Sequence, residues 1–286
     1  MNNSYLPNSI KQLLDNAANE FSALSDSAKL DAELLMCHVL DCQRIYLFTW
    51  PEKLLVTPQC DQFFSLVEER KTGRPIAHIV GKRAFWDLEL AVNDSTLIPR
   101  PDTEILVEKV LEIIESKGPE QGEGLDLGTG TGAIALSLAS SLPKWQWTGV
   151  DIIPEAVLLA RHNTKLNQIP NCQFVESSWF TALADQKFDF IVSNPPYIDE
   201  NDPHLNLGDV RFEPKTALVA KGHGLADIRY IVENARRHLK RNGKLILEHG
   251  FEQGVEVRHI LRDFNFQYVD TFKDLSGNDR VSIGYF

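Results

Sequence analysis

The sequence predicts an α/β fold: a mostly parallel sheet of seven strands covered by helices on both faces, with an antiparallel last strand, preceded by a small helical bundle. Three observations predict it. Residues 1–80 carry helical periodicity alone, the apolar period changes to two from Ala84, and strands alternate with helices beyond residue 120. The 286 residues, 43% of them hydrophobic, are enough for about two domains at roughly 150 residues each, without metal or disulfide support. The expected division is a helical domain at 1–80, a β linker at 81–100 and an α/β domain at 101–286.

In the helical part, apolar residues recur at Ile10, Leu13, Leu14 and Ala17, then at Leu30, Leu34, Leu35, Val39 and Leu40, then at Phe63, Phe64, Leu66 and Val67. Turn signals at Pro51 and Pro58 separate these segments, and Gly73-Arg74-Pro75 closes the last. The charges of Glu68, Glu69, Arg70 and Lys71 read as a solvated helix end. From Ala84, Trp86, Leu88, Leu90 and Val92 fall on one side of a single strand. Pro99 and Pro101 end it, and Pro101 suits the first turn of a helix running to about Ser116. Strands follow near 123–127, 146–150, 172–176, 188–193, 244–248, 266–271 and 280–285, with helices near 132–142, 154–167, 226–240 and 252–263. Only Gly277-Asn278-Asp279 joins the last two strands, too short for a crossover helix, so they pair antiparallel.

Composition excludes several functions. Lys and Arg number 29 against 40 Asp and Glu, and the net charge of -11 presents a repulsive average field to DNA or RNA. The helical part has seven basic against ten acidic residues and does not resemble a DNA-reading module. The four cysteines, 37, 42, 60 and 172, form no Cys-x-x-Cys pair and sit in apolar stretches, as reduced core thiols of a cytoplasmic protein do. No metal site is expected. The longest uncharged run, Leu127 to Pro143, is interrupted by glycines and hydroxyls and falls short of the ~20 apolar residues a span requires. No secretory signal is read at the N-terminus.

Chemistry concentrates in three places. Asp126-Leu127-Gly128-Thr129-Gly130-Thr131-Gly132 follows an apolar strand and opens a helix, so its glycines let backbone approach a nucleoside-bearing cofactor beside a helix N-terminus. Asp151 ends the next strand, 23 positions after Gly128, where a carboxylate can accept both hydroxyls of a ribose; NAD and S-adenosylmethionine both carry one. Asn194-Pro195-Pro196-Tyr197 follows the strand Phe188-Asp189-Phe190-Ile191-Val192. Its prolines restrict the chain, so the Asn194 carboxamide oxygen and the Pro195 carbonyl can each accept one hydrogen of a planar NH2 group whose face meets the Tyr197 ring.

With the glycine loop, Asn194-Pro195-Pro196-Tyr197 resembles the class I S-adenosylmethionine-dependent methyltransferases that modify exocyclic amines or amides. Leu97-Ile98-Pro99-Arg100-Pro101-Asp102-Thr103-Glu104, Asp209-Val210-Arg211-Phe212-Glu213-Pro214 and Glu248-His249-Gly250 are similar to the release factor glutamine methyltransferases, the HemK/PrmC family, over essentially the whole chain. The resemblance implies a Rossmann-like methyltransferase sheet and a helical domain that recognises substrate. It implies S-adenosylmethionine held by Gly128, Thr129, Gly130, Thr131 and Gly132, by Asp151 at the ribose, by Trp179 near the adenine, and by Asn194. The substrate would lie against Asn194, Pro195, Pro196 and Tyr197, with Asn194, Pro195 and Tyr197 as the catalytic group. That substrate would be the glutamine of the Gly-Gly-Gln loop in class 1 peptide chain release factors, met by a monomer in the cytoplasm. The family often has Asp just before the Trp, where this chain has Ser178.

Four other residues carry weaker signals. Glu248 and His249 end a strand near the crevice, as actors or as a hydrogen-bonded structural pair, while Arg100 and Glu104 flank a helix start, near the site or as cap and surface pair. Three rival functions follow from the same residues. An adenine-specific DNA methyltransferase would use the same acceptors on a flipped base, but the chain is acidic and lacks a basic target-recognition segment. An NAD-dependent dehydrogenase shares the glycine loop without needing Asn194 to Tyr197. A non-catalytic adaptor, whose helical domain would dock a partner, has no need for all four of Gly128, Asp151, Asn194 and Tyr197.

Overall fold

The computed structural model describes residues 9–286; residues 1–8 of the expected helical segment lie outside the described residues. The chain forms two compact units, one containing the residues up to Gly81 with Pro203–Phe212, the other Lys82–Asp202 with Glu213–Phe286.

The first unit contains α1 (Ile10–Phe21), α2 (Ala28–Leu40), α3 (Arg44–Thr49), α4 (Thr57–Lys71) and α5 (Ile76–Val80). Ser9 and Gln12 start α1 with a reciprocal capping box, each side chain bonding the other's backbone N–H. Ile10, Leu13, Leu35, Phe63 and Val67 meet in one core. Three expectations change here. On α2 the buried face is Ala32, Leu35 and Met36, and Leu30 is exposed, because the helix turns a different stripe toward α1 and α4. Pro58 does not separate segments: it sits in the first turn of α4, where its missing N–H costs nothing. Arg70 is not solvated but buried, its guanidinium on Asp31 Oδ2 at 2.9 Å and Asp209 Oδ1 at 3.0 Å, with the Gly73 and Arg74 carbonyls accepting as well.

The second unit opens with a hairpin rather than one strand. β1 (Lys82–Phe85) and β2 (Leu88–Ala91) pair antiparallel, and the chain reverses at Trp86, whose φ of 53° no strand allows. Glu104 Oε1 accepts the Trp86 backbone N–H and holds the turn. A 3-10 turn at Pro101–Thr103 leads into α6 (Glu104–Lys117). The sheet elements follow: β3 (Glu123–Leu127), α7 (Ala133–Ser141), β4 (Gln146–Asp151), α8 (Pro154–Leu166), β5 (Cys172–Glu176) and β6 (Phe188–Ser193). A small parallel pair, β7 (Ile198–Asp199) and β8 (Val219–Ala220), was not expected from periodicity, being two residues per strand. The chain ends with α9 (Ala226–Ala235), β9 (Leu239–Glu248), α10 (Gly254–Asp263), β10 (Gln267–Lys273) and β11 (Asp279–Tyr285).

The seven strands run in the order β10-β11-β9-β6-β3-β4-β5, parallel except β11, which is antiparallel to both β9 and β10. Helix α6, α7 and α8 residues such as Leu106, Leu136 and Ala160 cover one face, and Ile231 of α9 and Leu261 of α10 cover the other. The helix expected over 226–240 stops at Ala235. There the backbone turns to pair with β6, with the His238 carbonyl accepting from Phe188 N–H at 2.8 Å, and β9 begins five residues earlier than the sequence indicates. β3 lies between β4 on one side and β6 on the other, so the connections diverge at its carboxyl end and leave a crevice there.

Candidate active site

A cavity of about 280 Å³ occupies that crevice within the second unit. Gly128, Thr129, Gly130, Thr131, Asp151, Trp179, Asn194 and Pro196 line it; Pro195, Tyr197 and Gly132 do not. Gly132 serves packing. It precedes α7 at φ 84°, and a Cβ there would lie 2.9 Å from the Phe174 ring. Gly128, at φ 67°, sits under the Trp179 ring, whose carbons are 3.6 Å from where a Cβ would stand, so aromatic face and bare backbone meet on one wall.

The loop holds itself by its own amides. Thr129 N–H donates to the Val150 carbonyl, Gly132 N–H to the Thr129 carbonyl, and Gly130 N–H to Asp151 Oδ2 at 2.9 Å. Asp151 Oδ1 accepts from Ile153 N–H at 3.0 Å, which closes a turn before α8. Burial raises the Asp151 carboxyl against these backbone donors. Each of its oxygens keeps a further lone pair, so it can still accept ribose hydroxyls. Asp126, fully buried one turn away, accepts from Thr129 Oγ1 at 2.6 Å, and desolvation pushes its carboxyl up to about 7. Ser178 lines the cavity beside Trp179, and Ser177 Oγ donates to the Trp179 carbonyl at 2.9 Å.

Asn194 stands at the end of β6. Its Nδ2 donates to Thr103 Oγ1 at 3.2 Å, and Thr103 also lines the cavity. Tyr197 turns its hydroxyl to Glu248 Oε1 at 3.4 Å, among the apolar residues under α9 and α10, so its ring is not on the cavity wall. Glu248 is 1% exposed, and burial pushes it up to about 7 despite the hydroxyls of Thr103 and Tyr197 and the Arg280 charge nearby. His249 Nε2 lies 2.8 Å from Ser282 Oγ and its Nδ1 2.9 Å from the Gly250 carbonyl, and burial lowers its pKa. Arg100 reaches the cavity and pairs with Glu213 Oε1 at 2.5 Å, while Glu104 is committed to the Trp86 turn.

Thr103, Ile152 and Asp227 also line the cavity; sequence reasoning singled out neither Ile152 nor Asp227, and Thr103 only as a member of a longer string. Thr103 lies inside the string 97–104 but 91 positions before Asn194, and only the closed sheet brings the two together.

Residues 12–81 match the PrmC N-terminal domain and residues 101–225 the methyltransferase small domain. Over 263 residues the chain is 56% identical to the release factor glutamine methyltransferase of Vibrio cholerae, an alignment covering 92% of this chain and 91% of that one. The chain belongs to the release factor glutamine methyltransferase family. The family member from Shewanella oneidensis is 50% identical over 276 residues, 96% of this chain and 95% of that one. Among solved structures, a methyltransferase from Pyrococcus furiosus superposes with a TM-score of 0.51 over 78% of this chain and 96% of its own, at 18% identity, which shows the shared fold. The mixed seven-stranded sheet is thus the α/β methyltransferase fold, and S-adenosylmethionine is the methyl donor that goes with it. The residues present fit that donor: a carboxylate with spare lone pairs, an aromatic face over backbone, and Ile152 beside them make a wall for a nucleoside. Among the described residues no helix is long and apolar enough to cross a membrane.

Proposed function

We propose that this chain transfers a methyl group from S-adenosylmethionine to the side-chain amide nitrogen of the glutamine in the Gly-Gly-Gln loop of class 1 peptide chain release factors. The observation that carries the reading is Asn194: a carboxamide on the cavity wall beside the glycine loop and Asp151, in a chain 56% identical to a release factor glutamine methyltransferase. The helical unit is the substrate-recognition domain in this reading, and the enzyme acts as a monomer in the cytoplasm without nucleic acid. No observation favours methylation of DNA adenine, and the charge of -11 opposes it.

S-adenosylmethionine, when bound, supplies an activated methyl group. Gly128 to Thr131, Asp151 and Trp179 hold it; Gly132 shapes the loop. The substrate amide nitrogen is a poor nucleophile because its lone pair is delocalised, so the residues of the chain act by placement. With Nδ2 committed to Thr103, Asn194 has its carboxamide oxygen left to accept one substrate N–H, and the Pro195 carbonyl takes the other. Two acceptors fix the direction of the nitrogen, and orientation of this kind contributes up to ~7–11 kcal/mol in favourable cases. The same oxygens favour positive charge developing on that nitrogen. Tyr197 and Pro196 hold the segment rigid around them.

Incubation of the protein with S-adenosylmethionine and a release factor, followed by mass analysis of the Gly-Gly-Gln peptide, tests the reading. One added methyl group on the glutamine is expected; an unmodified peptide under conditions where the protein binds S-adenosylmethionine would refute it.

A further inference from the structure

The prolines that restrict Asn194-Pro195-Pro196-Tyr197 also take away its means of anchorage. Neither Pro195 nor Pro196 has a backbone N–H, and the Asn194 carboxamide oxygen and Pro195 carbonyl are the groups a substrate amide needs free. The segment is held instead at the peptide unit that follows it. Ile198 N–H donates to the Leu218 carbonyl at 2.9 Å, and the Tyr197 carbonyl accepts from Gln253 Nε2 at 3.0 Å, so both polar ends of that unit are fixed. Gln253 stands half-buried just before α10. Its Nε2 also donates to the His223 carbonyl at 3.1 Å, and its Oε1 accepts from Gly250 N–H at 2.9 Å. The three bonds agree on one orientation of the carboxamide, since Gly250 offers a donor and the two carbonyls only accept. The turn before α9 lies on the same carbonyl: Gly224 has φ 78°, and a Cβ there would run into the Tyr197 oxygen. A Cβ on Gly250 would stand 3.6 Å from the Tyr197 ring. One side chain thus ties together the end of the motif, the turn before α9 and the turn after β9.

We infer that Gln253 is a positioning residue for the methyl transfer, clamping the Tyr197 carbonyl so that the Asn194 oxygen and the Pro195 carbonyl keep the directions that hold the substrate amide. The inference rests on the reading of Asn194 and Pro195 given above. A proline ring fixes φ but leaves ψ free, and ψ at Pro195 sets where its carbonyl points. A clamp two residues further on limits that rotation without occupying either acceptor. Two donors on one end and an acceptor on the other are what a carboxamide supplies; a carboxylate of the same length has no proton for either carbonyl.

The test compares Gln253→Met, Gln253→Glu, Asn194→Ala and the double variant of Gln253→Met with Asn194→Ala for kcat and KM on a release factor, with S-adenosylhomocysteine binding and thermal unfolding measured on each. Met keeps the length and bulk of Gln without its hydrogen bonds, whereas an ionised Glu turns an acceptor toward two carbonyls. Each substitution at 253 is expected to lower kcat about 10-fold or more, while KM and S-adenosylhomocysteine affinity stay within about threefold of the parent. With one acceptor gone, the remaining one no longer sets a direction, so Gln253→Met should cost less in the Asn194→Ala background than in the parent. Parent-like kcat in either variant at 253 overturns the inference, as do losses that multiply in the double variant. A fall in kcat matched by weaker S-adenosylhomocysteine binding, or by unfolding at the assay temperature, also overturns it, because the clamp would then be structural. If Asn194→Ala is slow while Gln253→Met is not, the clamp fails and the role of Asn194 stands. If Asn194→Ala turns over normally, the underlying reading fails first.

Discussion

In the proposed reading Asn194 holds the substrate amide and Asp151 the cofactor, and substitutions should separate them. Asn194→Ala removes one acceptor from the cavity wall and should cost roughly 1–3 kcal/mol in the transition state, or about one to two decades in kcat, with little change in cofactor affinity. Steady-state rates on a release factor, beside a titration with S-adenosylhomocysteine, check both halves of that statement. Asp151→Ala should act the other way, weakening cofactor binding first. It also frees Gly130 N–H and Ile153 N–H, so part of its loss comes from a looser loop. An unchanged S-adenosylmethionine affinity in that variant would contradict the role of Asp151. These residues were legible because each sits at the end of an apolar strand, where chain geometry alone points a side chain into the crevice. Tyr197 was legible as part of the motif, but not in direction: its ring turns under α9 and α10 because the phenol finds a buried carboxyl there. Glu248 was legible as an acid at a strand end near the crevice, but its Tyr197 partner was not, and neither was the contact of Thr103 with Asn194, since these meetings join residues 51 and 91 positions apart.

At the scale of elements, the strands that build the sheet core could be read from apolar runs, and the misreadings came where a backbone partner outweighed local pattern. Residues 84–92 alternate as one strand should, yet Glu104 captures the Trp86 amide and the chain folds back into a hairpin. The helix over 226–235 yields to β9 once β6 offers its edge. The charge run at the end of α4 misled for a similar reason. Arg70 is drawn in by Asp31 from α2 and by Asp209 from the segment that returns between β7 and β8. Arg70→Met would strand the buried Asp31 carboxylate and should destabilise the helical unit by about 3–5 kcal/mol. Pairing it with Asp31→Leu should restore a good part of that loss. Urea unfolding of the single and double variants decides between a paired charge and mere packing, because packing alone would make the two losses add.

For the whole molecule, the pH dependence of stability follows from its buried acids. Asp126 and Glu248 are pushed up to about 7 by burial, above their ordinary values of 3.8 and 4.5. Between roughly pH 4 and 7 the folded chain therefore holds protons that the unfolded chain has released, and stability falls as pH rises through that window. Carboxylates held low by their partners, such as Asp274 beside Arg280, contribute in the opposite sense, but below this window. Asp126→Asn should lessen the decline between pH 5 and pH 8 by on the order of 1–3 kcal/mol, read from urea unfolding at the two values. A decline as steep as the parent's would show that Asp126 is ionised in the fold throughout.

The central claim is that the site is built for a side-chain amide rather than a base amine. It is tested most directly by offering both at once: labelled S-adenosylmethionine, a release factor and duplex DNA in one reaction, with label counted in each and its position in the protein mapped by fragmentation. We expect the label on the glutamine nitrogen of the Gly-Gly-Gln peptide and none above background in DNA. Label in the DNA, or in the protein at any residue other than that glutamine, would contradict the account.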